Sequence, residues 1–397
     1  KFDMELLEPE LDRIEEHLNI GMNRIPEFKD VGIKKIICGP ITHTPDDNFL
    51  AGPAPELKNF WMFCGASIGI AQGGGAGKYM AQWMTYGDAD INMLEFEPRR
   101  YMNWANKDYA IKKSSDQYRR MYFTPLPNES IEIGRPMKKT PIYNKLKNSG
   151  AIFLDSYGWE KPCWFGKKGM KEDYSFKRTN AFAYVQKECE NVQNNVGVLD
   201  LSTFAKYEIS GKDGETFLDR LCANKIPKKE GSIVLTHMLN ENGRIQSELT
   251  ITRLPNNIFY VLSSTASEIR DLDWFNHHIK KEENVNIKNV TQNYGTLVLV
   301  GPNSRKVLSQ LTSQNLHNND FPWLKGREIL INKIPVRALR VNYVGELGWE
   351  LHHPMNQMES LYDSIYEVGK KENIINFGTY AVNSLRMEKA YRGWGSE

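Results

Sequence analysis

A run of about 18 consecutive apolar residues, the minimum for a helix that crosses a bilayer, occurs nowhere in the 397 residues. Charge of a single sign is equally lacking. The chain has 51 Lys and Arg against 49 Asp and Glu, and a formal charge of +2 supplies no field that would hold nucleic acid or an anionic membrane. Cysteine is scarce: Cys38, Cys64, Cys163, Cys189 and Cys222 are odd in number, widely scattered and without a C-x-x-C pair. That argues against a disulfide framework and a Cys-based zinc site, and fits a reducing compartment. The metalloprotease pattern H-E-x-x-H and the hydrolase elbow G-x-S-x-G are both absent. His277-His278 and His352-His353 are adjacent pairs whose side chains diverge, so no metal is expected. No solenoid-type repeat is present.

What is there describes a globular protein: 40% hydrophobic, 25% charged and 11% aromatic residues, with length enough for two to three domains. Residues 1–30 read as helical, with Leu7, Leu11, Ile14, Leu18 and Ile20 among charges. V-G-I-K-K-I-I-C-G-P (31–40) alternates like a strand, and a turn-rich stretch with Pro45, Gly52, Pro53 and Pro55 leads to the strand N-F-W-M-F-C-G. A glycine loop, Gly65 to Gly77, then runs into a helix. Residues 98–180 have weak periodicity and read as a connector, and a new domain begins near N-N-V-G-V-L-D-L-S. Beyond it come the Asn242-Gly243 hairpin, a Ser-capped helix from Ser267 to about Lys281, and strands V-R-A-L-R-V-N-Y and L-G-W-E-L-H-H, an α+β pattern. The chain starts K-F-D-M and stops at R-G-W-G-S-E; both ends read as cut, and a fragment of a longer protein is expected.

Three segments have the residue types for chemistry. The glycine loop lets backbone N–H groups approach a ligand, or packs a strand tightly against a helix. As a P-loop it is poor: Gln72 holds the first glycine position and Tyr79 stands where Ser or Thr would bind Mg²⁺. In I-Q-S-E-L-T, period-2 alternation puts Ile245, Ser247 and Leu249 on one face and Gln246, Glu248 and Thr250 on the other. Glu248 is therefore either a solvated carboxylate or, if its face lines a cavity, one tuned for proton transfer. In N-Y-V-G-E-L-G-W-E-L-H-H, Glu350 shares a face with Gly348 and His352. That carboxylate suits the paired N–H/NH₂ edge of a heterocycle such as a pterin, with Tyr343 supplying a hydroxyl or a ring; a solvated, salt-bridged Glu reads equally well.

The whole pattern resembles a known family. I-C-G-P-I-T-H-T-P-D-D, G-P-A-P, N-F-W and C-G-A-S-I-G-I-A-Q-G-G-G-A-G-K are similar to the end of the flavin domain of glycine-oxidase-like amine oxidoreductases. G-W-E-K-P-C-W-F, V-G-V-L-D-L-S-T-F-A-K, L-N-E-N-G-R-I-Q-S-E-L, Y-V-G-E-L-G-W-E-L and F-G-T-Y-A-V-N-S-L-R-M-E-K-A-Y-R-G-W-G resemble a folate-binding, aminomethyltransferase-like half of the glycine-cleavage T-protein type. In this order they resemble the dimethylglycine and sarcosine dehydrogenase family across essentially the whole chain. The fold implied is α+β: residues 1–97 the C-terminal part of a flavin domain, 98–180 a connector or central domain, and 181–397 the folate-binding domain.

The resemblance implies two cofactors, FAD and tetrahydrofolate. A flavin takes a hydride from an N-methyl group to give an iminium ion, and tetrahydrofolate captures the carbon as 5,10-methylenetetrahydrofolate. It implies that Ala66, Ser67, Ile68, Gly69, Ile70 and Ala71 run beside the flavin. Ser247, Glu248, Leu249, Tyr343, Glu350, Leu351 and His352 would line the folate site, with Glu350 gripping the pterin. Glu248 is implied as the catalytic base, where relatives carry an Asp. The partners implied are an N-methylated amino acid and an electron acceptor, either electron-transfer flavoprotein or oxygen, with no nucleic acid and no membrane. The compartment is a bacterial cytoplasm or a mitochondrial matrix, and Lys-, Asn- and Ile-rich usage hints at an A+T-rich, bacterial genome. The alternatives are a stand-alone aminomethyltransferase and a non-catalytic folate-binding module; residues 31–97, flavin-like, disfavour both. The family's G-x-G-x-x-G start, its flavin-anchoring histidine and its final small barrel fall outside the chain. The 397-residue polypeptide alone is therefore expected neither to retain FAD nor to turn over amine, and flavin bands in the visible spectrum of the purified chain would contradict this.

Overall fold

The computed structural model describes residues 5–101, 103–395 and 397. The first stretch is thinly packed. Helix α1 (Glu15–Arg24) lies between 3-10 turns at Leu11–Arg13 and Pro26–Lys29, and Leu11, Ile14, Leu18 and Ile20 face solvent instead of a core. The strand expected over 31–40 does not form. That segment makes a single bridge, Cys38 to Leu7, and without a neighbouring strand its alternating residues have no sheet to join. Strands β1 (Leu50–Pro53) and β2 (Trp61–Cys64) pair antiparallel and lead into α2 (Gly69–Tyr86).

Here the structure corrects the expected glycine loop. The helix begins at Gly69, and only Gly65 of this run takes a positive φ, 76°. Each helical glycine costs about 1 kcal/mol relative to alanine, yet α2 carries Ala76 and Met80 into a cluster with Phe49, Ala51 and Met93, and that packing holds the turns. Gly77-Lys78 lies inside the helix, where the backbone N–H groups are engaged along it and cradle no phosphate.

The stretch expected as a connector is more ordered than its periodicity suggests. It holds α3 (Lys107–Arg120), capped by the Asn106 side chain accepting from Tyr109 N at 2.9 Å, and α4 (Tyr143–Asn148). Strands β3 (Ala151–Ser156) and β4 (Trp159–Phe165) form a hairpin whose two turn residues, Tyr157 and Gly158, both have positive φ. Buried Cys163 and Trp164 on β4 pack against the domain that follows.

That domain opens with α5 (Ala181–Asn194), β5 (Val196–Asp200), β6 (Ala205–Ser210), α6 (Gly214–Leu221), β7 (Ile233–Leu239), β8 (Ile245–Leu254), β9 (Ile258–Ser263) and α7 (Glu268–His278). It continues through β10 (Asn286–Asn289), β11 (Tyr294–Val300), α8 (Ser304–Ser309), β12 (Gly326–Ile331), β13 (Ile334–Leu339), β14 (Gly348–Pro354), α9 (Met358–Gly369), β15 (Ile374–Asn376) and α10 (Thr379–Glu388). Two sheets result, ordered β10-β6-β9-β8-β7 and β12-β13-β14-β11-β5-β15, antiparallel except for the β15–β5 pair. The Asn242-Gly243 hairpin forms as expected, with Gly243 at φ 73°. Alternation on β8 buries Ser247, Leu249 and Ile251. Helix α7 ends at His278, and Ser267 precedes it without capping it: its hydroxyl is 2.8 Å from that of Ser264. One core lies between the six-stranded sheet and α8 and α9, another between the five-stranded sheet and α6 and α7.

A buried ion cluster ties the first part of the chain to this domain. Arg99 donates to both oxygens of Glu97, at 2.6 and 2.9 Å, and to Asp273 on α7 at 3.3 Å. All three side chains are buried, so removing the cation strands two desolvated carboxylates. Arg99→Met is expected to cost about 3–5 kcal/mol of stability, measured by urea unfolding. A loss below about 1 kcal/mol would contradict this account.

Candidate functional site

Strand β14 alternates between two environments. Trp349 and Leu351 enter the hydrophobic core on one side, which leaves Glu350 and His352 on the face that meets the five-stranded sheet. The meeting layer is polar. Arg337 on β13 pairs with Glu208 on β6 at 2.7 Å, and Tyr260 Oη on β9 lies 3.1 Å from His352 Nδ1. Thr296 Oγ1 on β11 is 3.0 Å from the same nitrogen, and His352 Nε2 is 3.2 Å from Glu350 Oε2. Burial holds the imidazole well below its ordinary pKa, so it is neutral. The tautomer that satisfies these partners has Nε2–H donating to the Glu350 carboxylate and Nδ1 accepting a hydroxyl proton.

Lys206 on β6 lies in the same layer, fully buried, with Nζ donating to the carbonyls of Ser202 and Phe204 at 2.8 Å each. Burial pushes Lys206 down to about 7, opposed by Asp200, Glu268 and Glu350. Burial pushes Glu350 up to about 7, opposed by Lys206. Both groups are thus drawn toward their neutral forms. Of the two alternatives open for Glu350, the solvated one does not describe it: its side chain is 13% exposed and its partner is a neutral histidine.

The other sequence-selected residues divide by face. Glu248 is half-buried, 3.3 Å from His237 Nε2, its register partner on β7. Burial raises the Tyr343 pKa, opposed by Arg386, with the Glu248 charge adding to the rise. The Tyr343 ring stacks on Tyr391 at 6.0 Å beneath Arg386 at 5.9 Å, and its hydroxyl donates to the Arg392 carbonyl. Ser247 turns the other way and donates to buried Asp271 at 2.7 Å, while the Leu249 and Leu351 side chains enter the two cores. None of these three presents its side chain to a ligand.

A cleft of about 750 Å³ opens between the first part of the chain and this domain, walled by Trp83, Glu97, Arg244, Gln246, Arg270 and Trp394 among others. Gln246 leads directly into Ser247-Glu248-Leu249. Arg270 is buried, donates to the Gln246 carbonyl at 2.8 Å, and lies 5.4 Å from the Trp394 ring. Arg270, Trp394, Arg386 and Lys206 were not singled out in the sequence. The signal available was charge or a lone aromatic within otherwise core-like runs, as in F-A-K-Y-E-I and S-L-R-M-E, and only tertiary packing tells such residues from surface charge.

Residues 66–71 offer one wall for a flavin. Ile68, Gly69, Ile70 and Ala71 are exposed, and no side chain caps the α2 N-terminus. A Cβ added at Gly69, Gly73, Gly74, Gly75 or Gly77 would meet nothing within 4 Å, so a flat ring can approach the backbone closely. They fit one face of such a group.

The Glu350 shift has a definite sign. A carboxyl whose folded pKa lies above its unfolded value adds stability below the unfolded value and loses it as pH rises through the folded one. From its ordinary 4.5 to about 7, the wild type should weaken relative to Glu350→Gln by about 3 kcal/mol, then plateau. Urea midpoints at pH 5 and pH 8 measure this, and a gap that stays constant would contradict it.

Two family models match the chain. A family model described as GCVT N-terminal domain matches residues 142–397, and one described as FAD dependent oxidoreductase central domain matches residues 86–140. The mitochondrial dimethylglycine dehydrogenase of Rattus norvegicus is 40% identical over all of this chain and 46% of its own length. Mitochondrial sarcosine dehydrogenase of Homo sapiens is 29% identical over all of the chain and 48% of its length. The chain thus spans about half the length of these relatives. The crystal structure of glycine cleavage system aminomethyltransferase T from Bartonella henselae aligns with 64% of this chain and 63% of its own, at 22% identity and a TM-score of 0.53, a likeness of fold alone.

Proposed function

Because the chain belongs to the GCVT N-terminal domain family over residues 142–397 and matches an FAD dependent oxidoreductase central domain over 86–140, we propose that it is part of an enzyme that oxidatively demethylates an N-methylated amino acid, dimethylglycine or sarcosine, and passes the carbon to tetrahydrofolate. In this reading residues 1–97 complete a flavin domain, 98–180 connect it and 181–397 bind folate. The exposed apolar residues of the first part, Leu6, Ile33, Phe60 and Ile70 among them, support it as surface that a larger flavin domain would cover. FAD, when bound, would supply the two-electron oxidation, with Ala66 to Ala71 among the residues that would hold it and electron-transfer flavoprotein or oxygen as the acceptor.

The observation that carries the folate reading is Glu350: a desolvated carboxylate, oriented by His352 and opposed by Lys206, on the face where two sheets meet. Its free lone pairs suit the paired N–H/NH₂ edge of a pterin, and a bond to a charged acceptor out of water is worth more than a neutral one. Tyr343 and Trp394 offer rings, and Arg386 and Arg270 offer donors for the acceptor groups of the ligand. Glu248 is the proposed proton carrier. It is half-exposed beside His237, within reach of both the imidazole and solvent. A stand-alone aminomethyltransferase is less well supported, since residues 86–140 match an oxidoreductase domain. Relatives named as mitochondrial and one from Paenarthrobacter nicotinovorans fit a mitochondrial matrix or a bacterial cytoplasm.

Titration with tetrahydrofolate tests the assignment. Glu350→Ala is expected to weaken binding by about 10- to 100-fold, and in the complete enzyme amine oxidation should persist. Unchanged folate affinity would overturn the role of Glu350.

A further inference from the structure

On the opposite face of β14 from Glu350, two guanidinium groups stand without a counter-charge. Arg305 on α8 and Arg340, just after β13, both send Nη2 to the Asn318 amide oxygen, at 2.6 and 2.8 Å. Among the described residues neither forms an ion pair with a carboxylate; the remaining bond of Arg340 goes from Nη1 to the Phe321 carbonyl. Both lie over the Trp349 indole, 5.9 and 5.8 Å from the centroid. Two donors nearby are buried with no acceptor: Arg305 Nε and Trp349 Nε1. Burial lowers the Arg340 pKa, and the neighbouring Arg305 charge adds to the effect. Arg340 lines a cavity of about 170 Å³ together with Trp323, Asn342, residues 345–348 and Tyr391. The carboxylate on that wall, Glu346, is paired with Lys389 at 3.2 Å.

Two cations that converge on one neutral oxygen repel each other, and an amide dipole compensates them poorly. Buried N–H groups without acceptors are uncommon in native proteins and mark a place where a further acceptor belongs. The acceptor that fits is compact, negatively charged and has more than one oxygen, because the guanidinium fork matches carboxylate and phosphate geometry. The two arginines come from adjoining elements, α8 and the end of β13, whose neighbouring residues Val307, Leu308 and Ala338 lie in one core.

We propose that Arg340, which lines the cavity, and Arg305, which shares its Asn318 acceptor, form a binding site for a small oxyanion of the carboxylate or phosphate class at the edge of that cavity. The two arginines lie on the side of β14 opposite Glu350, since Trp349 and Glu350 point to opposite faces of one strand, and the proposal does not depend on the folate reading; the cavity's Tyr391 stacks on Tyr343. The Asn318 oxygen occupies the place between the two guanidinium groups that an anionic oxygen would take, and the tryptophan beneath them excludes water from one side.

The test uses the whole 397-residue chain, titrated separately with inorganic phosphate and with acetate against sodium chloride of equal ionic strength, and read by tryptophan fluorescence and thermal midpoint. A saturable, single-site response absent with chloride is expected, and the tighter of the two anions identifies the class. Arg305→Met and Arg340→Met should each raise the dissociation constant about tenfold or more. Asn318→Asp, which builds a carboxylate onto the shared acceptor, should raise the midpoint and abolish the anion response without removing either arginine. A response equal to that of chloride would overturn the proposal. So would Asn318→Asp that titrates like wild type, or a double arginine variant with undiminished affinity; if the methionine variants fail to fold, the aspartate variant decides alone.

Discussion

The constraint on which the rest depends is the desolvation of charge where the two sheets face each other. Lys206, Glu208, Tyr260, Thr296, Arg337, Glu350 and His352 fill a layer that a simple core would fill with aliphatic groups. Out of water each of these groups must be paired or neutral, and the geometry shows which. Arg337 and Glu208 neutralise each other at 2.7 Å. His352 gives up its charge and becomes a hydrogen-bond link from Tyr260 and Thr296 to Glu350. Lys206 and Glu350 are left in mutual attraction without a direct ion pair, both displaced toward neutrality. Hydrophobic residues of equal volume would give at least as much stability. On the proposed reading, a layer kept polar at this cost is kept for a ligand.

The two ends of the chain illustrate how burial divides the work. The α+β domain closes its cores on both sides of its sheets, with Trp349, Phe217, Phe275 and Leu351 fully buried. Residues 5–96 have one small cluster around Phe49 and Met80, and most of their large apolar side chains face solvent. What holds them to the domain is mostly electrostatic and polar: Arg99 with Glu97 and Asp273, Arg244 with Asp88, and Asn242 donating to the Tyr86 carbonyl. Such contacts fix orientation more than they supply affinity, which suits a boundary that contains a cleft of about 750 Å³.

Much of this was legible in the sequence where a local rule and tertiary packing agree. Asn242-Gly243 predicts the hairpin because only such residues take positive φ cheaply, and I-Q-S-E-L-T alternates because one face of β8 is buried. The glycine-rich run failed as a guide, since packing of Ala76 and Met80 outweighs a weak helix propensity. The strand pattern at 31–40 failed for the opposite reason: alternation without a partner strand makes no sheet. For the site, Glu350 and Tyr343 stood out by motif, but period alone could not decide whether Glu350 faces water. Lys206 and Arg270 were invisible because a buried lysine or arginine has the same letter as a solvated one, and only neighbours remote in sequence set its environment.

Two glutamates remain to be told apart, and their surroundings do so. Glu350 is enclosed, opposed by one buried ammonium group, and has a neutral imidazole donor fixed from behind by two hydroxyls. Such a carboxylate is rigid and costly to ionise, so it favours a ligand that brings donors and replaces the hydration it lost. Glu248 stands on a half-exposed face with an imidazole 3.3 Å away. Taken as parts of one proposed site, the desolvated carboxyl recognises the ligand and the half-exposed one exchanges protons. On the proposed reading this places Glu350 at the pterin edge and Glu248 nearer the transferred carbon. The extra methylene of Glu relative to Asp is then reach toward that carbon, provided from a strand position that β8 fixes by burying Ser247 and Leu249 on its other face.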